Sequence, residues 1–253
     1  MEGEPVASIC AEDMEHYRDL ARQYARKSIN PILEGEHSDG NLSLLPEKLK
    51  TAFEIGIAAS PDESLSGCQY GIWGGATNET GLMPSLLLLS TIGETCGGVA
   101  MCLHAQGLAT HLILQAKKKL PFTPVRAGLC LQEGFCPPFL GTIMSPDQDA
   151  PARITTVAEK KNNRYTINGS KSFVYSVNDP DAYVVFARAG EQWGCFLVGA
   201  QEKDVVRTDA GVRTGLRACV VDHVDFDHVD IPLDARIDDG DARELVVHAM
   251  SLN

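Results

Sequence analysis

Two hydrophobic periods divide the chain. From Ala11 to about Lys27, Met14, Tyr17, Leu20, Ala21, Tyr24 and Ala25 recur at spacings of three and four, the stripe of an amphipathic helix that Pro31 is expected to close. Leu45, Leu49, Ala52, Phe53 and Ile57 make the stripe of a second helix from about Pro46 to Gly56, where proline suits the first turn and glycine the C-cap. Pro84 to about Cys96 and Val99 to about Lys117 are apolar nearly all round and split by Gly97-Gly98, as in helices buried on most faces. Between Ala58 and Gly81 the residues turn to Gly, Ser, Asn and Asp. With no preceding strand and no Gly-Lys-Ser or Gly-x-Gly-x-x-Gly, that segment reads as a surface connection rather than a phosphate cradle.

Beyond Pro121 and Pro124 the helical period gives way to alternation. Strands are predicted over Ala127 to Glu133, Ala152 to Glu159, Arg164 to Asn168, Ser172 to Ser176, Ala182 to Arg188, Gly194 to Gly199 and Val220 to Asp227. Asn168-Gly169, between runs carrying Tyr165, Ile167, Phe173 and Tyr175, has the residues of a tight hairpin turn. From His223 to Pro232 one face is apolar and the other acidic. Acids at Asp238, Asp239 and Asp241 precede a helix expected from near Ala242 to Asn253. The fold class is therefore multi-domain α+β, with a helical domain over residues 1–124, an antiparallel β-sandwich or barrel over 125–237, and the start of a third, helical region over 238–253.

Composition narrows the function classes. The 253 residues contain 44% hydrophobic and 22% charged side chains, as expected of a globular chain. A formal net charge of -12 argues against a nucleic-acid surface, and Lys117-Lys118-Lys119 reads as a solvated helix end. The acidic Met1-Glu2-Gly3-Glu4-Pro5 has neither a secretory core nor a transit character, and no uninterrupted apolar run reaches the ~20 residues of a membrane span. A cytoplasmic protein is the expectation. Its eight cysteines include no Cys-x-x-Cys, so they read as reduced, mostly buried thiols. His104 and His111 share a helix face without an acidic or cysteine partner, which points to packing or hydrogen bonding, and Asp225, Asp227 and Asp230 lack the loop of a calcium site. No metal site is expected.

The order of these blocks resembles the acyl-CoA dehydrogenase family. The likeness rests on the helix Tyr17 to Ile29, Leu49 to Ile57, the helix pair around Glu94 to His104, Leu129-Cys130-Leu131-Gln132-Glu133, Tyr165 to Tyr175, Gly194 to Val198, Gly215-Leu216-Arg217, and Val224-Asp225-Phe226 through Ile231-Pro232. The resemblance implies a helical domain, a β domain and a further four-helix domain, the last expected to be absent from this sequence, in dimers or tetramers that hold FAD. It implies FAD against two strands at Leu129, Leu131, Gln132, Phe173, Val174 and Tyr175, with Gly141 and Thr142 near the substrate. The activity implied is α,β-dehydrogenation of an acyl-CoA thioester: a base removes the α-proton, the flavin accepts the β-hydride, and a separate electron acceptor reoxidises it.

Several positions depart from the family pattern. Gln132 stands where the family has threonine, Tyr175 where it has a small hydroxyl residue, and Gly134-Phe135-Cys136-Pro137-Pro138-Phe139 where it has a Gly-rich loop, so the prolines remove backbone donors. The resemblance aligns the base position of a minority of members with Asn253, which cannot take a proton, and reads Glu133 as structural. No catalytic residue is assigned. Three readings follow: a flavin-dependent dehydrogenase present as a fragment or as a subunit completed by a partner chain that brings the missing helices, in a homo-oligomer or hetero-oligomer; a non-catalytic subunit of that fold serving assembly or acyl-CoA binding; and an interaction module without a small-molecule site.

Overall fold

A computed structural model describes residues 11–34, 44–62, 71–74, 82–133, 154–211 and 214–251. It divides into one unit of residues 1–111 with 213–220 and a second of 112–212 with 221–253.

The first unit is helical. α1 spans Ala11–Tyr24, passes through a π-helical turn Ala25–Ile29, and resumes as α2, Asn30–Leu33. Pro31 thus sits in the first turn of α2 instead of ending the helix: the wider turn bonds the Asn30 N–H to the Ala25 carbonyl and lets the chain pass a residue that has no N–H. α3 is Leu45–Glu54, and Gly56, at φ 75°, turns the chain out of it as expected of a C-cap. α4, Met83–Thr95, packs on α1, and an extended Cys96 separates it from α5, Gly97–Leu114. By length and composition α5 could cross a bilayer, yet 78% of it is buried within the protein. Its Gln106 and Thr110 side chains both donate to the Ala59 carbonyl, and a Cβ at Gly107 would lie 2.3 Å from the Ile72 carbonyl oxygen. Glycine is what lets the segment 71–74 lie against the helix. Trp73 Nε1 donates to His104 Nδ1 at 2.8 Å, the hydrogen-bonding role expected of that histidine.

The second unit is a sheet of β1 (Ala127–Cys130), β2 (Val157–Lys161), β3 (Arg164–Ser176), β4 (Ala182–Ala189), β5 (Gln192–Gly199), β6 (Val205–Asp209) and β7 (Val220–Pro232). The order is β1-β4-β2-β3-β7-β6 with β5 on β4, and a further β1 to β3 pairing closes part of that path into a ring. The pairings are antiparallel as expected for β1 with β3, β2 with β3, β4 with β5 and β6 with β7, while β1 runs parallel to β4 and β2 meets β4 in parallel at Val157 and Arg188. Inside lie Tyr165, Tyr183, Phe196 and Phe226 with a shell of valine and isoleucine. Tyr165 meets Phe196 edge to face at 5.0 Å, a geometry that suits the ring quadrupoles.

The hairpin predicted at Asn168-Gly169 is absent. β3 runs unbroken through it, and the reversal occurs at Asn162-Asn163, where Lys161 pairs with Arg164 and Asn162 takes φ 53°. Gly169 instead bends β3: its φ is 145°, and a Cβ there would lie 2.6 Å from Thr156 Cα. The first half of β3 can therefore pair with β2 while its second half reaches β1. β7 buries Val224, Phe226, Val229 and Ile231 and exposes Asp225, Asp227 and Asp230, but the expected clean alternation is broken at His228, which lies at φ 57° with Asp227 and His228 both exposed, so the buried face changes phase there. α6, Arg243–Ser251, follows, with the Arg243 N–H on the Asp241 carboxylate; Asp238 is instead buried on Arg236 and the Cys195 N–H.

Candidate functional site

β1 and the second half of β3 bring the predicted flavin-strand residues side by side. Leu129 pairs with Tyr175, and the Ser172 N–H donates to the Gln132 carbonyl at 2.8 Å, although β1 itself ends at Cys130 rather than Glu133. Leu131, Gln132, Phe173 and Tyr175 are half-buried and leave an apolar, partly open surface with one amide on it. Leu129 is more deeply buried, and the Val174 side chain turns inward to the core at 1% exposure, so only its backbone is available to that surface. Gly141 and Thr142 lie outside the described residues, as do Gly134 to Phe139 and Asn253.

Phe173 is one of the bulky residues at positive φ, with Trp73 and Leu216, and the one among them on the predicted flavin strand. Its φ is 52°, in the left-handed region that a bulky L-residue occupies only when its surroundings hold it there. Ser172 is anchored on one side by Gln132, and Val174 on the other by the core. The ring sits edge-on to His223 of β7 at 5.6 Å. The sequence shows an aromatic residue here but gives no sign of the backbone strain, which belongs to the bend of β3.

Behind this surface lies a charged cluster that the sequence does not reveal. Lys171, fully buried, points its ammonium at Glu133 with a 2.7 Å contact. The same carboxylate accepts the Thr155 N–H at 2.7 Å, the Thr155 hydroxyl at 2.6 Å and the Thr156 N–H at 3.1 Å. Burial opposes ionisation of Glu133, but the Lys171 charge and these hydrogen bonds outweigh it and hold the carboxyl at about 2. Burial also draws Lys171 below the usual lysine range, against the pull of Glu133. A carboxylate so saturated is a poor proton acceptor near neutrality. Its geometry is that of a clip joining the end of β1, the segment before β2 and the middle of β3, in keeping with the structural reading of Glu133. A lysine beside two serines is an ordinary sign of exposure in sequence, so only the closed sheet could disclose its burial.

Elsewhere, Lys117 lies beyond the end of α5 and pairs with Asp239 at 2.9 Å between exposed side chains. Among the described residues no group of three or more histidine, cysteine or acidic side chains is arranged to hold a metal ion.

Residues 148–229 match the family model of the acyl-CoA dehydrogenase middle domain. The fold is similar to that of butyryl-CoA dehydrogenase from Megasphaera elsdenii, with a TM-score of 0.70 at 17% identity over 97% of this chain and 63% of that one. A glutaryl-CoA dehydrogenase from Mycobacterium smegmatis in complex with FADH2 gives 0.72 at 15% identity, covering 96% and 60%. The prolyl acyl carrier protein oxidase AnaB gives 0.67 at 15%, covering 97% and 64%. The chain thus spans about three-fifths of the length of the structures it matches.

Proposed function

We propose, from the premise that this chain has the acyl-CoA dehydrogenase fold and matches that family's middle domain over residues 148–229, that it is part of a FAD-dependent oxidoreductase acting on an acyl-CoA thioester. Bound FAD would supply the acceptor for the hydride lost from the acyl chain. The observation that carries this reading is Phe173, a half-buried aromatic in a left-handed conformation next to Ser172, whose N–H bonds the Gln132 carbonyl. Backbone strain held in place by the surrounding fold is the kind of outlier that motivates a functional reading of a position.

The residues present fit a planar, partly polar ring. Phe173 offers an apolar plate that excludes water, Leu129 and Leu131 an aliphatic floor, and the Gln132 amide a donor for charge that builds on the ring. The backbone of Val174 and the edge of Tyr175 complete the face, and Gly141 and Thr142 are proposed at the thioester end. Glu133 takes no proton in this scheme. It fixes the two strands, and the α-proton goes to a base held elsewhere in the protein or by a second copy or partner chain. Reoxidation calls for a separate electron acceptor.

A second reading is a subunit of the same fold that binds acyl-CoA or supports assembly without chemistry. The engaged state of Glu133, with Gln132 and Tyr175 in place of the family's smaller hydroxyl residues, favours it. The test is a visible absorption spectrum of the purified protein with any co-purifying chain, before and after anaerobic addition of acyl-CoA thioesters. Stoichiometric flavin that bleaches supports the oxidoreductase. Absence of flavin, with acyl-CoA still raising the melting temperature, supports the second reading; neither response would leave both without support.

A further inference from the structure

Cys102 in α5 and Cys219 in the segment before β7 belong to one structural unit and place their sulfurs 3.6 Å apart. Both are buried, Cys102 at 0% and Cys219 at 1% exposure. The approach is built into the helix. A Cβ at Gly98 would lie 2.9 Å from the Cys219 nitrogen, and one at Gly97 3.1 Å from the Leu216 side chain, so the diglycine opening of α5 is what admits the segment. The Val220 N–H donates to Cys102 Sγ at 3.4 Å, the Cys102 thiol faces Cys219 Sγ, and the Cys219 thiol faces the Val220 carbonyl at 3.7 Å. Two thiols in separate stretches of chain thus share one small polar circuit.

We propose that Cys102 and Cys219 are a peroxide-sensitive dithiol whose oxidation to a disulfide locks the segment carrying Gly215-Leu216-Arg217 onto α5. The co-reactant is hydrogen peroxide, small enough for a buried pair that bulky disulfides would not reach. The Cys102 sulfur takes one peroxide oxygen, the O–O bond breaks, and the first water leaves with the Cys102 proton. Cys219 sulfur then attacks the sulfenic sulfur, the S–S bond forms as the S–O bond breaks, and the hydroxyl departs as a second water with the Cys219 proton. Two electrons pass from the sulfur pair to the peroxide. Closing 3.6 Å to the ~2.05 Å of a disulfide asks for a modest shift of either side chain.

The experiment treats the reduced, full-length protein with hydrogen peroxide, stops the reaction with catalase, alkylates the remaining thiols and maps a non-reducing digest by mass spectrometry. The expected product is a single linked peptide joining Cys102 to Cys219, two hydrogens lighter than the dithiol and restored by a phosphine. Amide exchange at Cys219 and Val220 should slow by about tenfold or more once the link is made. In Cys219→Ala the sulfenic acid should persist on Cys102 and be trapped by dimedone. Peroxide oxidation confined to other cysteines, with no linked peptide from the natural protein, overturns the proposal. A link that leaves exchange of the segment unchanged overturns the locking.

Discussion

Replacing Lys171 by methionine would leave the Glu133 carboxylate buried beside Thr155 and Thr156 without its cation. Breaking a buried pair from one side costs about 3–5 kcal/mol, so a loss of that order is expected in denaturant unfolding, and from Glu133→Gln as well, since its amide N–H2 would face donors and leave Lys171 without a counter-charge. The pH dependence has a definite sign. Glu133 has a folded value depressed to about 2, so its stabilisation is complete above the ordinary carboxylate value of about 4.3 and drains away as pH falls from there towards 2. Glu133→Gln should flatten the acid limb of a stability profile in that window; an unchanged limb would remove the clip from the account. At Phe173 the strain gives a separate test. Phe173→Gly relieves a positive φ that Phe173→Ala retains, so the glycine variant should be the more stable by about 1 kcal/mol, while both weaken flavin retention if the ring lies against the cofactor.

At the scale of elements, β3 is the part most dependent on a single residue. Gly169→Ala would put a methyl group 2.6 Å from Thr156 Cα and force an L-residue to a φ of 145°. A loss of about 2–3 kcal/mol is expected in thermal or denaturant unfolding, together with release of the Thr156 contact to Glu133. An alanine variant as stable as the natural protein would mean the bend is not fixed there. The sequence shows why β3 is easily misread. Asn-Gly favours positive φ, and a positive φ serves a bend inside a strand as well as a turn between two; only the pairing of Val157 with Asn168 and Leu129 with Tyr175 decides. Helix ends and faces were legible where one apolar stripe sets them, as in α3. β6 was not, because Val205–Asp209 is nearly all exposed and offers no apolar run. Nor was the passage of Pro31, which depends on the π-helical hydrogen bonds before it.

For the whole molecule, a helical unit and a β unit were readable from the change of period near Pro121, and the block order carried the likeness to the acyl-CoA dehydrogenase fold that the solved structures share. The candidate face was legible in part. The two predicted strands do run side by side, through Leu129 with Tyr175 and the Ser172 N–H on the Gln132 carbonyl, whereas the inward turn of Val174 and the Lys171 to Glu133 clip arise from closure of the sheet and leave no mark in local sequence. The proposed function requires that the face formed by β1 and β3 take FAD with the Phe173 ring against the flavin. Its most direct measurement is an equilibrium titration of the complete protein with FAD, read by flavin fluorescence, alongside Phe173→Ala confirmed as folded by circular dichroism. Saturable quenching at one FAD per chain in the natural protein, lost or strongly weakened in the variant, is the predicted result. No saturable binding, or binding indifferent to Phe173, would contradict it.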